Sequence, residues 1–186
     1  MTWKQIAILA LVVAASASCA RTTRYMNASS DLGTVKTVAV LPFDNLTMDK
    51  LAGDRLNKIF TTELLALEAF RVVEAGEVTR AVRSSSIDAT SLTADDVKRL
   101  GKALHAEALF VGTVLEYDEG RGAGTPSPQV TLQFRLLDTE SGTTLWSVSR
   151  TSSGATVTAR LFGLGGKTAS VVSREMIQEE LRRLVH

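Results

Sequence analysis

The sequence holds one cysteine, two histidines and three prolines, and aromatic residues make up 5% of it. A single cysteine forms no internal disulfide, so packing alone must hold the fold. The histidines, His105 and His186, stand far apart, and no cysteine–histidine cluster has zinc-ligand spacing, so neither a metal nor a cofactor is expected. Charge of one sign is missing too. The 21 Lys and Arg against 20 Asp and Glu leave a formal +1, which gives no bulk attraction to nucleic acid. What is present, 186 residues at 45% hydrophobic and 22% charged, is the composition of one globular domain with a core of its own.

No apolar run reaches the roughly 20 residues that a bilayer-spanning helix needs. The nearest is Ile6 to Ala17, apolar or small throughout, with Lys4 before it as a positive n-region; residues 1–18 therefore read as a cleaved export signal. Ser16, Ala17 and Ser18 before Cys19 resemble the small-residue half of a bacterial lipobox, with Ser16 where that pattern usually has Leu. The resemblance implies that Cys19 is the lipid-bearing first residue of the mature chain. The alternative is a soluble-secretion cut near Ala15-Ser16-Ala17, with Cys19 incidental. Each buried CH₂ contributes about 0.8 kcal/mol, so the three acyl chains that the resemblance implies would anchor the protein firmly. Ala20 after the cysteine, rather than Asp, points in such lipoproteins to the outer membrane, with the domain facing the periplasm.

Residues 19–34 are polar, rich in turn formers and without apolar periodicity, and read as a lipidated N terminus and flexible tether. The domain is expected over residues 35–186. Val35 to Leu41 is β-branched and apolar up to Pro42, a strand buried on both faces, and Asp44-Asn45 suits a turn. Ala52, Leu56, Ile59, Phe60, Leu64 and Leu67 form one helical stripe. Arg71 to Glu74 is a short strand candidate, Glu77 to Val82 a short helix before a loop at Ser84 to Ser86. Thr93 and Asp96 have capping-box spacing ahead of a helix from Ala94 to His105, where His105 suits the negative helix end. Ala108 to Tyr117 is a strand, Glu119 to Pro128 a Gly/Pro loop. Val130, Leu132, Phe134 and Leu136 alternate with polar residues as a half-buried strand. The Asp138–Gly142 turn returns the chain along Thr143 to Arg150, and Ser173 to Val185 is a last helix. The expected fold is a single α/β domain with a mixed, largely antiparallel sheet flanked by helices.

The runs VAVLPFDN (Val38 to Asn45), ALFVGTVLEY and LLDTESGTTLW (Leu136 to Trp146) together resemble the curli-secretion channel lipoproteins, the CsgG family. They also resemble the LpoB activators of peptidoglycan synthases and, more distantly, the amino-terminal domain of TolB. The resemblance implies a non-enzymatic interaction or assembly module that engages another envelope protein or copies of itself. In channel members each subunit donates two membrane hairpins, whose strands need about 9–11 residues with an apolar lipid face. Here the first slot, Tyr117 to Gln129, holds a Gly/Pro loop. The second, Ser147 to about Thr168, starts with an arm in which neither face is apolar. A non-pore module is therefore expected, with a channel subunit as the alternative.

Catalytic chemistry finds no foothold. Gly163-Leu164-Gly165-Gly166-Lys167-Thr168 ends like a phosphate-binding loop, but Leu161 stands where its first glycine belongs, and only a short tail is expected after it. Gly120, Gly122 and Gly124 precede Pro126 and Pro128 rather than a helix. Asp95-Asp96 and Glu179-Glu180 are neighbours on helices and read as solvated faces, not opposed acid/base pairs. Ser84 to Ser86 and Ser152-Ser153 lack a nucleophile elbow. No catalytic residue and no small-molecule substrate is expected.

Overall fold

The computed structural model describes residues 22–28, 32–120, 127–154 and 166–185. A seven-stranded mixed sheet runs in the order β1-β7-β6-β5-β2-β4, with β3 paired to β5 beyond the end of β2. The strands are β1 (Thr22–Met26), β2 (Thr37–Val40), β3 (Asp44–Asn45), β4 (Arg71–Val72), β5 (Ala108–Asp118), β6 (Gln129–Asp138) and β7 (Thr144–Ser153). Among the described residues four α-helices pack on it: α1 (Ala52–Ala66), α2 (Ala75–Ser85), α3 (Ala94–Leu104) and α4 (Ala169–Val185). The expected fold class is what the structure has: one α/β domain whose parallel pairs (β2–β4, β2–β5, β3–β5) join an antiparallel run β5-β6-β7-β1.

The sequence pattern explains which strands lie where. All four residues of β2 and the first five of β5 are buried, because helices cover both faces there. On one face Val38, Val40 and Phe110 meet Leu56, Phe60 and Leu64 of α1 together with Ile177 and Leu181 of α4. On the other, Ala39, Leu41 and Leu109 meet Val78 of α2 and Val97, Leu100 and Leu104 of α3. The Phe60 ring sits 4.9 to 5.4 Å from those of Phe43, Phe110 and Phe134. Phe43 in turn lies on Gly112, where a Cβ would come within 2.6 Å of its ring, so only glycine admits that packing.

Several elements differ in extent from the sequence expectation. Asp44-Asn45 is a short parallel strand against Thr113 and Val114 rather than a turn. The turn follows it, where Asn45 Oδ1 accepts the Thr47 N–H at 3.1 Å. Helix α2 continues through Ser84 and Ser85, leaving Ser86 as a left-handed cap at φ 52°. The capping box of α3 is present: Thr93 Oγ1 accepts the Asp96 N–H at 3.2 Å and Asp96 Oδ2 accepts the Thr93 N–H at 3.0 Å. His105 ends that helix in the left-handed region.

The larger correction concerns residues 22–26. Read as tether, they form the edge strand β1, antiparallel to β7 from Thr22–Arg150 to Met26–Trp146. Their hydrophobic alternation is missing because the side chain that turns inward is Arg24, which meets a carboxylate instead of an apolar core.

Candidate functional site

Three surfaces set this domain apart from a uniformly covered sheet. The first is the outer half of the sheet itself. Helices α2 and α3 cover β2 and β5, but their buried side chains reach only Leu137 on β6. On that face the polar residues of β6, β7 and β1 line up in register: Arg135, Ser147 and Tyr25 in one cross-strand row, Gln133, Ser149 and Thr23 in the next. Thr131 and Thr151 continue the face, their hydroxyls 3.0 Å apart, and Glu116 Oε2 accepts from Thr131 and Gln129. Neighbouring side chains in such rows stand about 5 Å apart, so Tyr25, Ser147 and Arg135 form one continuous strip. Tyr25 is exposed, and among the described residues β1 ends the sheet, with no described strand paired to its outer edge.

The second feature holds that edge in place. Glu180 of α4, its side chain only 1% exposed, accepts two hydrogen bonds from Arg24, at 2.8 Å from Nε and 2.7 Å from Nη2. It also accepts one from Arg150 Nη1 at 2.7 Å. Arg150 Nη2 reaches Glu179 at 2.6 Å, and Glu179 pairs with Arg183. Burial pushes the Glu180 carboxyl up, but the hydrogen bonds and charges of Arg24 and Arg150 outweigh it and hold the group below the usual carboxylate range. The expectation that Glu179-Glu180 is a solvated face thus fails for Glu180. Both carboxylates converge on Arg150 and are held ionised, which suits a structural clamp and denies them acid/base chemistry.

The third feature is the loop from β3 to α1. The side chains of Asn45, Thr47 and Asp49 turn inward: Asn45 Nδ2 donates to the Asp49 carbonyl at 2.8 Å, and Thr47 Oγ1 to Asn45 Oδ1 at 2.8 Å. Asp49 accepts the Leu51 N–H and an Arg55 guanidinium hydrogen bond, and Arg55 also donates to the Tyr117 hydroxyl at 3.1 Å. Its apolar side chains face outward, with Leu46, Leu51 and, at 98% exposure, Met48 in solvent. Leu115 is exposed beside them, because a bulge between Val114 and Glu116 breaks the β5 alternation and the Val114 carbonyl accepts the Leu46 N–H.

Cys19 and the export signal lie outside the described residues. So does the first half of the phosphate-loop-like stretch, Gly163 to Gly165. Its end is described: Lys167 pairs with Glu175, and the expected last helix, α4, follows from Ala169, earlier than the Ser173 start that the sequence suggests. Of the second hairpin slot, Ser147–Ser153 belong to β7 and pair with β6, so that arm is part of the domain's own sheet. Arg150 there faces α4 rather than lipid. Among the described residues no group of His, Cys, Asp and Glu could hold a metal, and no helix is long and apolar enough to cross a membrane. Sequence reading missed Arg24 and Glu180; a lone arginine in an otherwise uncharged strand-length segment was the available signal.

A family model described as the peptidoglycan-synthase activator LpoB matches residues 9–151. Of the families the sequence resembles, the match falls on LpoB and not on the curli-secretion channels. No curated protein matches the chain. Among solved structures, a single-substitution variant of the PelC dodecamer from Paraburkholderia phytofirmans is similar at TM-score 0.62 and 19% identity, covering 89% of this chain and 98% of that one. Lipoprotein GNA1162 from Neisseria meningitidis follows at 0.58 and 17%, covering 80% and 97%. The hypothetical protein CT253 from Chlamydia trachomatis gives 0.56 and 14%, covering 81% and 95%. At these identities the likeness is one of fold.

Proposed function

The chain belongs to the family of the peptidoglycan-synthase activator LpoB, and on that premise we propose that it is a lipid-anchored envelope module that binds and stimulates a peptidoglycan synthase. Membership in a family of activators makes it an interaction protein rather than an enzyme. In this reading residues 1–18 are removed, Cys19 carries the lipid, and the domain faces the periplasm from the outer membrane. Because β1 starts at Thr22, almost no tether separates lipid from domain. The partner must therefore reach the membrane-bound domain.

The observation that carries the proposal is the strip Tyr25–Ser147–Arg135, which no described helix covers, beside a sheet edge to which no described strand pairs. Tyrosine and arginine are the side chains that interfaces concentrate, since each offers contact area with a polar end. The Glu180 clamp fixes Tyr25 in advance, which lowers the entropy lost on binding.

A photo-crosslinking residue at Tyr25 or Ser149, introduced in intact cells, is expected to capture a peptidoglycan synthase, whereas one at Thr62 on the outer side of α1 is not. Purified protein is expected to raise the rate of that synthase, and Arg135→Glu to abolish the rise. A synthase neither captured nor accelerated would end this reading. Intact mass tests the anchor separately: acyl chains on Cys19, lost in Cys19→Ser.

A further inference from the structure

We propose that the β3–α1 loop is a second membrane contact, with Leu46, Met48 and Leu51 seated in the bilayer interface beside the lipid. The inference rests on lipidation at Cys19 and adds to it an orientation of the domain. Thr22 pairs with Arg150, Arg150 with Leu132, Leu132 with Val114 and Val114 with Asn45, so one straight row crosses the sheet from the first residue of β1 to the last of β3. Beyond that row, at the same end of the sheet, β3 runs into Leu46, and the chain before Thr22 leads back to Cys19. Three residues span at most about 11 Å, so the lipid attachment is confined to that end. The row crosses four strand spacings, which sets the loop about 19 Å to the side of it.

A membrane is the occupant that this placement favours. The loop is inverted relative to a soluble surface: Asn45, Thr47 and Asp49 are hydrogen-bonded within, and its apolar side chains point away from the domain. Lys50 is exposed among them, a side chain whose stem lies along apolar surface while its ammonium meets anionic headgroups. The lipid supplies one fixed point and the loop another, so the strands stand upright on the surface. The Asp138–Gly142 turn, at the start of β5, then lies about 30 Å further out, and the Tyr25–Ser147–Arg135 strip faces sideways, free for a partner.

The test uses the whole lipidated protein. Its one cysteine is occupied by lipid, so Met48→Cys and Glu140→Cys each offer a single thiol for a fluorophore. In vesicles of phosphatidylethanolamine and phosphatidylglycerol bearing a shallow acyl spin label, emission from position 48 is expected to be largely quenched and that from 140 unchanged. In a Leu46→Asp, Leu51→Asp background the quenching at 48 is expected to be lost while the protein stays vesicle-bound. Acylated protein with no quenching at 48 overturns the inference and leaves the anchor intact. Protection of position 48 only in oligomers formed in detergent would assign the loop to a second copy and overturn it as well. Absence of acyl chains would instead remove the anchor on which the orientation rests.

Discussion

The two halves of the sheet are built from the same chain by different rules. Around β2 and β5, helices lie on both faces, Thr37–Val40 and Ala108–Gly112 are buried with Thr37 as their one polar side chain, and four phenylalanine rings interlock. Around β7 and β1, among the described residues, α4 covers one face, the other face is a polar strip, and the inward contact at the edge is an ion-pair cluster. The first half supplies stability. The second gives up burial and in return keeps a surface of defined geometry. An apolar edge strand would have needed a second cover; a charged one needs only a carboxylate placed on α4.

That contrast can be broken at either half. Phe60→Ala, in the doubly covered half, is expected to cost about 3–5 kcal/mol and to loosen the whole domain in chemical denaturation. Glu180→Gln is expected to cost about 3 kcal/mol, the low end for breaking a buried pair because Arg24 reaches solvent. Its signature is local: hydrogen exchange rises in β1 and the end of β7, while β2 stays protected. A retained, protected β1 would show that backbone pairing alone holds the edge.

The same clamp gives a pH dependence. Because the folded Glu180 carboxyl titrates below its unfolded value, its contribution is complete above the ordinary glutamate pKa of about 4.3. It is lost as pH falls from there through the folded value. Acid titration of the wild type should therefore loosen β1 before the core, and Glu180→Gln should lack that step. Smaller is Thr93→Ala, which removes the α3 cap at a cost of about 1 kcal/mol, seen in a thermal melt. Smallest for stability are Tyr25→Ala and Arg135→Ala, within about 0.5 kcal/mol. Their expected effect is on synthase capture, so a large stability loss would mean that the strip is structural after all.

Legibility followed the same division. The stripe of α1, the capping box at Thr93, the alternation of β6 and the Asp138–Gly142 turn rest on local periodicity and short-range hydrogen bonds, and each is found where the sequence places it. Strand β1 was illegible because its partner at the inward position, Glu180, lies 156 residues away. The exposed Leu46, Met48 and Leu51 look like ordinary core candidates in sequence; their outward direction comes from Asn45 and Asp49 closing the loop from inside.

By itself, then, the sequence determined the fold class, the absence of a recognisable catalytic motif and a family-level resemblance, since all three are written in local patterns of side-chain type. Only the tertiary structure decided that residues 22–26 of the supposed tether are part of the sheet, that Glu180 is a buried clamp and that the β1 end and the apolar loop share one end of the domain. Those depend on which distant residues the register of a sheet brings level, and strand register is fixed by the packed whole rather than by any one segment.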